Sequence, residues 1–382
     1  MSIGAALGNL VHCGPLFRDA IACRNPKVLA SLLGPAFRGL LQQKGKSAPH
    51  TSMKLGYAVT FGWEYQREFP EMARLYEVAK VSQWNASTDL DWSIDVDPER
   101  TELMPDRFLP FAAAPAYKKM NPAEKNRQRL FALSWLLSQF LHGEQGALYA
   151  AAQLTEAVPW FDAKLYGSTQ VVDEGRHVEV FHTYLSKKLG KLYQINDNLY
   201  VVIDALMTDS RWDLKFLGMQ IMIEGLALGA FGTIRQVVPE PLLKDVLKYV
   251  ITDEARHVHF GVLALKRFYS SELSDSERRE REDWAFEVSL LLKNRFLGHE
   301  LYEESYAHSM SRRAWDAMVN ESEMMRIFRR TMFRRIVPNL KAIGLLPDRL
   351  RPKYAAAGLL EYEDGKPAPD LTATDLLSEQ AE

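Results

Sequence analysis

Residues 130–155 read LFALSWLLSQFLHGEQGALYAAAQLT, and Glu144 is the only Asp, Glu, Lys or Arg among them. Residues 216–234 read FLGMQIMIEGLALGAFGTI, and Glu224 is alone there in the same way. A helix that is apolar nearly all round belongs in a protein core or a membrane. A bare carboxylate is costly in either place, so each must be neutralised, paired or bound to a cation. A membrane span is the plain reading of the second stretch. The residues downstream of each stretch argue against it.

They carry one short motif, written twice: Asp173-Glu174-Gly175-Arg176-His177-Val178 and Asp253-Glu254-Ala255-Arg256-His257-Val258. In both halves the motif's Glu stands 30 residues after the lone Glu, with Pro159 or Pro239 midway. Each half therefore reads as an antiparallel helical hairpin, with roughly 22 Å of helix on either side of its bend. Glu144 faces Glu174 across one hairpin, and Glu224 faces Glu254 across the other. His177 and His257 lie on the same helix face as the Glu one turn before them.

Two such hairpins packed together bring four carboxylates and two imidazoles into one interior. One Glu from each of two helices, plus Glu-x-x-His from each of the other two, is the donor set of di-iron carboxylate bundles. The expected ligands are Glu144, Glu174, His177, Glu224, Glu254 and His257. Carboxylates are hard donors, imidazole suits iron, and four carboxylates balance two divalent ions. A bundle with structural Glu–Arg and Asp–His pairs is the plain alternative, and it leaves the doubled register unexplained.

At these residues, over roughly 122–300, the chain resembles the ferritin-like di-iron carboxylate superfamily. The Asp-Glu-x-Arg-His form is similar to its oxygen-activating branch: monooxygenase hydroxylases, acyl-carrier-protein desaturases, the ribonucleotide reductase small subunit and arylamine N-oxygenases. The resemblance implies that Asp173 and Asp253 each orient the imidazole of the opposite motif, an outer-shell role, and that Arg176 and Arg256 neutralise them. Ordinary ion pairing on helix surfaces is the alternative for these four. Val250 stands where some arylamine N-oxygenases carry an extra histidine. Phe181 stands where the radical tyrosine of the ribonucleotide reductase subunit would be, and Gly261 holds the equivalent place after His257. The cofactor implied is two iron ions, with Mn/Fe also compatible.

The remaining features set bounds. The 382 residues carry 47 basic and 49 acidic side chains, so no basic surface invites nucleic acid. Two cysteines, Cys13 and Cys23, fit a reducing compartment, and the N-terminus lacks a signal-peptide pattern, so a cytoplasmic location without a membrane is expected. The fold expected is all-α: a ferritin-like four-helix bundle over 121–310, opened by Asn121-Pro122. A helical and irregular extension (1–120) packs on it, with C-terminal helices over 311–360 and a loose acidic tail over 361–382. Helical periodicity is read in LGYAVTFGWEYQREFPEMARLYEVAKVSQWN (residues 55–85). Glu179, His182, His259 and His142 fall off the ligand face and are expected to be bystanders. The small residues Gly143, Gly146, Ala147, Ala150, Gly225, Ala227, Gly229 and Ala230 read first as tight helix packing, and second as room for oxygen and an apolar substrate.

The function expected is oxidation of a small organic substrate by O2, through hydroxylation, N-oxygenation or desaturation. The substrate is apolar or carrier-bound, electrons come from a separate reductase or ferredoxin, and a homodimer is compatible. Iron storage and a radical-generating subunit are the alternatives. Phe181 disfavours the latter, leaving Tyr149 and Tyr184 as the tyrosines to watch.

Overall fold

The computed structural model describes residues 25–47, 59–371 and 375. Cys13 and Cys23 lie outside them. Among the described residues every regular element is helical. Helices of ten residues or more are α1 (Pro26–Ala36), α2 (Pro70–Val81), α3 (Pro122–Ala157), α4 (Phe161–Tyr184) and α5 (Asp197–Thr208). They continue with α6 (Trp212–Val237), α7 (Pro241–Ser271), α8 (Asp275–Asn294), α9 (Arg312–Glu321) and α10 (Glu323–Ala342).

The bundle is α3, α4, α6 and α7. Asn121 opens α3 with a capping box: its side chain accepts from the Glu124 N–H while Glu124 reaches back, and Pro122 occupies the first turn. Ala157 ends α3 and Phe161 begins α4, so the Pro159 bend makes the first hairpin. The second turns between Val237 and Pro241, where the Glu240 carboxylate accepts from the Leu242 and Leu243 N–H groups. Tyr184, at the end of α4, donates to that carboxylate at 2.7 Å and so ties the two hairpins together.

α6 is not a plain α-helix. Leu217–Ile223 winds as a π-helix that ends at Glu224. By length and composition α6 is apolar enough to cross a membrane, yet its apolar window is 94% buried within the protein. α10 covers one side of it, and α2 lies against α4 and α7.

Two expectations need correction. The periodicity predicts helix from residue 55, but the described chain from Val59 to Phe69 is irregular and the helix begins at Pro70. A proline with no N–H suits a first turn and disrupts a helix interior. The preceding stretch instead straps the α3–α4 bend: the Thr60 N–H donates to the Glu156 carbonyl at 3.0 Å, and the Phe69 N–H to Asp162 at 2.9 Å. The acidic tail is likewise not loose from its start. Ala368 is buried, its N–H donating to Asn339 Oδ1 at 2.8 Å, so the chain through the 368–370 turn is packed.

Candidate metal centre

The two hairpins bring Glu144, Glu174, His177, Glu224, Glu254 and His257 together, each no more than 4% exposed. His177 Nδ1 lies 3.2 Å from Glu144 Oε2, 3.3 Å from Glu174 Oε2 and 3.2 Å from Glu254 Oε1. His257 Nδ1 lies 3.0 Å from Glu174 Oε1 and 3.6 Å from Glu254 Oε2. Glu174 and Glu254 thus each turn one oxygen to either imidazole, as bridging carboxylates would, while Glu144 and Glu224 stand at the two ends. Glu144, Glu174, His177 and Glu254 form one group whose donor atoms lie within 4.8 Å of one another, and Glu174, Glu224 and His257 form a second. The imidazole centroids are 5.9 Å apart.

The outer faces of the imidazoles are fixed crosswise. His177 Nε2 is 3.2 Å from Asp253 Oδ2, and His257 Nε2 is 3.2 Å from Asp173 Oδ2. With Nε2–H donating to an aspartate, Nδ1 is the atom turned to the cluster, and on losing its proton it would offer its lone pair to a cation. Arg256 donates to both aspartates, and Arg176 donates to Asp173 and lies 3.5 Å from Asp253. The extension contributes a partner too. The Trp84 indole N–H donates to Asp253 Oδ2 at 2.7 Å, under the Arg176 guanidinium and stacked on Tyr249. Gln83 Nε2 donates to Asp173 at 3.3 Å.

The donors fit two cations. Glu174 Oε2, Glu224 Oε2, both oxygens of Glu254 and His257 Nδ1 are buried with no hydrogen bond. Four carboxylates in a dry interior cannot all be ionised without compensation. Protons take that role when no metal is bound. Burial, and then Glu254, raises Glu144 well above 4.5; burial, and then Glu174, does the same to Glu224. Burial alone would lower both imidazoles, but their carboxylate neighbours outweigh it and hold them well above 6.5. The buried carboxylate–imidazole cluster is suited to two metal ions, and its arrangement is that of ferritin-like di-iron bundles.

The bystanders sit elsewhere. His182 is exposed and His259 half-buried. His142 Nε2 is 2.8 Å from the Tyr193 carbonyl. Tyr149 is 53% exposed, and Tyr184 is taken up by Glu240. Phe181 packs with Phe140 and Phe231, forming an apolar wall on the Glu144 side. The small residues divide. Gly146 packs on Ile203 and Gly229 on the α10 backbone, whereas a side-chain carbon added at buried Gly143 would meet nothing within 4 Å.

Sequence reasoning missed Trp84, Gln83, Gln170, Gln220 and Tyr166. Gln170 Nε2 donates to Glu174 Oε1 at 3.1 Å and to Glu224 Oε1 at 3.0 Å. Tyr166 is fully buried with an unpartnered hydroxyl, and its ring lies 4.5 Å from Phe260. Gln170 and Gln220 each precede a ligand Glu by four residues, so their place on the donor face was readable; Trp84, far away in the extension, left no such signal.

No family model and no curated protein matches the chain. Among solved structures it is similar to a mutant R2-like ligand-binding oxidase with an anaerobically reconstituted Mn/Fe cofactor. The identity is 18%, over 71% of this chain and 92% of that one, with a TM-score of 0.44.

Proposed function

We propose that the protein is a di-iron oxidase that uses O2 to oxidise a small, largely apolar organic substrate. The observation that carries this reading is the set of four buried carboxylates and two crosswise-anchored imidazoles, with unpartnered donor atoms facing inward. Two iron ions held by Glu144, Glu174, His177, Glu224, Glu254 and His257 would supply the redox change and the place where O2 is reduced.

The chain's own residues supply the rest. Asp173 and Asp253 hold the imidazoles in the tautomer that ligates, and Arg176 and Arg256 keep those aspartates charged in a dry interior. Phe140, Phe181 and Phe231 exclude water, which protects a reactive site from side reactions. The line from His177 through Asp253 to Trp84 leads from the centre to half-buried Tyr249, and supports electron delivery by a separate reductase or ferredoxin.

Elemental analysis of iron-loaded protein is expected to give two ions per chain, and the reduced, loaded protein to consume O2 without further iron uptake. Many irons per chain with ferric mineral would shift the reading to storage. A stable tyrosyl signal in electron paramagnetic resonance, abolished by Tyr166→Phe, would shift it to a radical-generating subunit.

A further inference from the structure

The two halves repeat their donors but not the residues one turn before them. Gln170 precedes Glu174 by four residues, and its counterpart before Glu254 is Val250. Gln220 precedes Glu224 by four, and its counterpart before Glu144 is Phe140. Four residues after the histidines, Phe181 in the first half answers to Gly261 in the second. The swap is steric as well as polar. A side-chain carbon on Gly261 would stand 2.5 Å from Gln220 Cβ, so this glycine clears the space Gln220 occupies, where the first half packs Phe140 toward Phe181.

The result is a fixed amide on one side of the centre. Gln220 Nε2 donates to Gln170 Oε1 at 3.4 Å, which orients the Gln170 amide. Gln170 Nε2 then donates to Glu174 Oε1, the oxygen facing His257, and to Glu224 Oε1. Both glutamines are fully buried. Among the described residues no side-chain amide donates to Glu144 or Glu254; the hydrogen bond Glu144 makes is with His177 Nδ1 at 3.2 Å, an atom that would itself turn to the cation. A carboxylate already stabilised by a hydrogen bond gains less from a cation, so the donors around His257 are poorer than those around His177.

We propose that Gln170, held by Gln220, is a positioning residue that makes the two metal positions unequal: the first ion binds at His177 and Glu144, the second at His257 and Glu224. This rests on the two-metal reading above and adds an order of filling to it.

Titration of metal-free, full-length protein with Mn(II), followed by calorimetry and by electron paramagnetic resonance, tests it. Two steps about tenfold or more apart are expected, the worth of one hydrogen bond to a charged group, with an isolated-ion spectrum after the first and a coupled spectrum only after the second. Glu144→Gln should remove the tight step, and Glu224→Gln the weak one. Gln170→Met keeps the length without an N–H and should narrow the gap about tenfold by tightening the weak step, because the carboxylate charge is then left for the cation alone to stabilise. Two equal steps in the unmodified protein, loss of the tight step in Glu224→Gln, or an unchanged gap in folded Gln170→Met would each overturn the assignment. Should Gln170→Met not fold, the two glutamate variants decide alone. Absence of any metal binding would overturn the two-metal reading itself, and the filling order with it.

Discussion

α3 and α6 each deliver one glutamate to the same cluster, on different backbones. α3 runs as an uninterrupted α-helix from Pro122 to Ala157, whereas α6 passes through a π-helical stretch before Glu224. Such stretches widen the helix locally and change which side chains share a face. Their packing differs too. α6 meets α10 so closely that a side-chain carbon on Gly229 would lie 2.7 Å from the Thr331 carbonyl oxygen, while Gly143 on α3 borders open space. The repeat therefore lies in the donors and their spacing, and the backbone and packing around them differ between the two halves.

The sharpest way to break this comparison is to separate shared donors from unshared ones. Glu174 turns one oxygen to each imidazole, so Glu174→Ala is expected to lose both ions. Glu144→Ala should keep one, at His257 and Glu224. Elemental analysis after dialysis reads the difference. Loss of both ions in Glu144→Ala would mean that the halves do not bind separately.

A smaller effect tests the packing contrast. Gly229→Ala forces a clash with backbone and should cost about 1–3 kcal/mol. Gly143→Ala should be neutral or stabilise by up to about 1 kcal/mol, because alanine favours the helix and meets no neighbour. Urea unfolding of the two variants gives the ranking, and a reversed order would move the open space to α6.

The smallest expected effect tests whether protons occupy both halves when metal is absent. Glu144, Glu224, His177 and His257 are held above their ordinary values of 4.5 and 6.5 in the folded chain. Raised groups lend stability at low pH and lose it as pH climbs through the folded-state values. Glu174 and Asp253 are held low, so their contribution is lost only in acid. The metal-free protein should therefore lose stability as pH rises beyond about 4.5 for the two carboxyls and about 6.5 for the two imidazoles, and the rise in Tm on adding metal should grow with pH. A metal-induced shift that shrinks with rising pH would contradict the proton-filled state.

The donor face was legible because a lone carboxylate in an apolar helix is expensive, and the cost recurs at one spacing. Asn121-Pro122 and the two proline bends marked the hairpins for the same local reasons. The π-helical stretch was not legible: FLGMQIMI carries no residue that announces it, and tertiary packing decides it. The stretch before Pro70 misled because its aromatic side chains imitate a helical period, while Val59, Phe61, Trp63 and Tyr65 all lie exposed. Gln170 and Gln220 were within reach of the spacing argument, which weighed only charged residues and histidines.

The hydrogen bond from Trp84 to Asp253 joins residues 169 positions apart. During synthesis the indole emerges long before its acceptor, and Glu144, Glu174 and His177 also precede the second half of the donor set. The anchored form of His177 must therefore await translation past residue 253 and the docking of the second hairpin. Completion of this centre is thus a late event in the life of the chain, and an ion captured earlier would be held by only part of its final coordination.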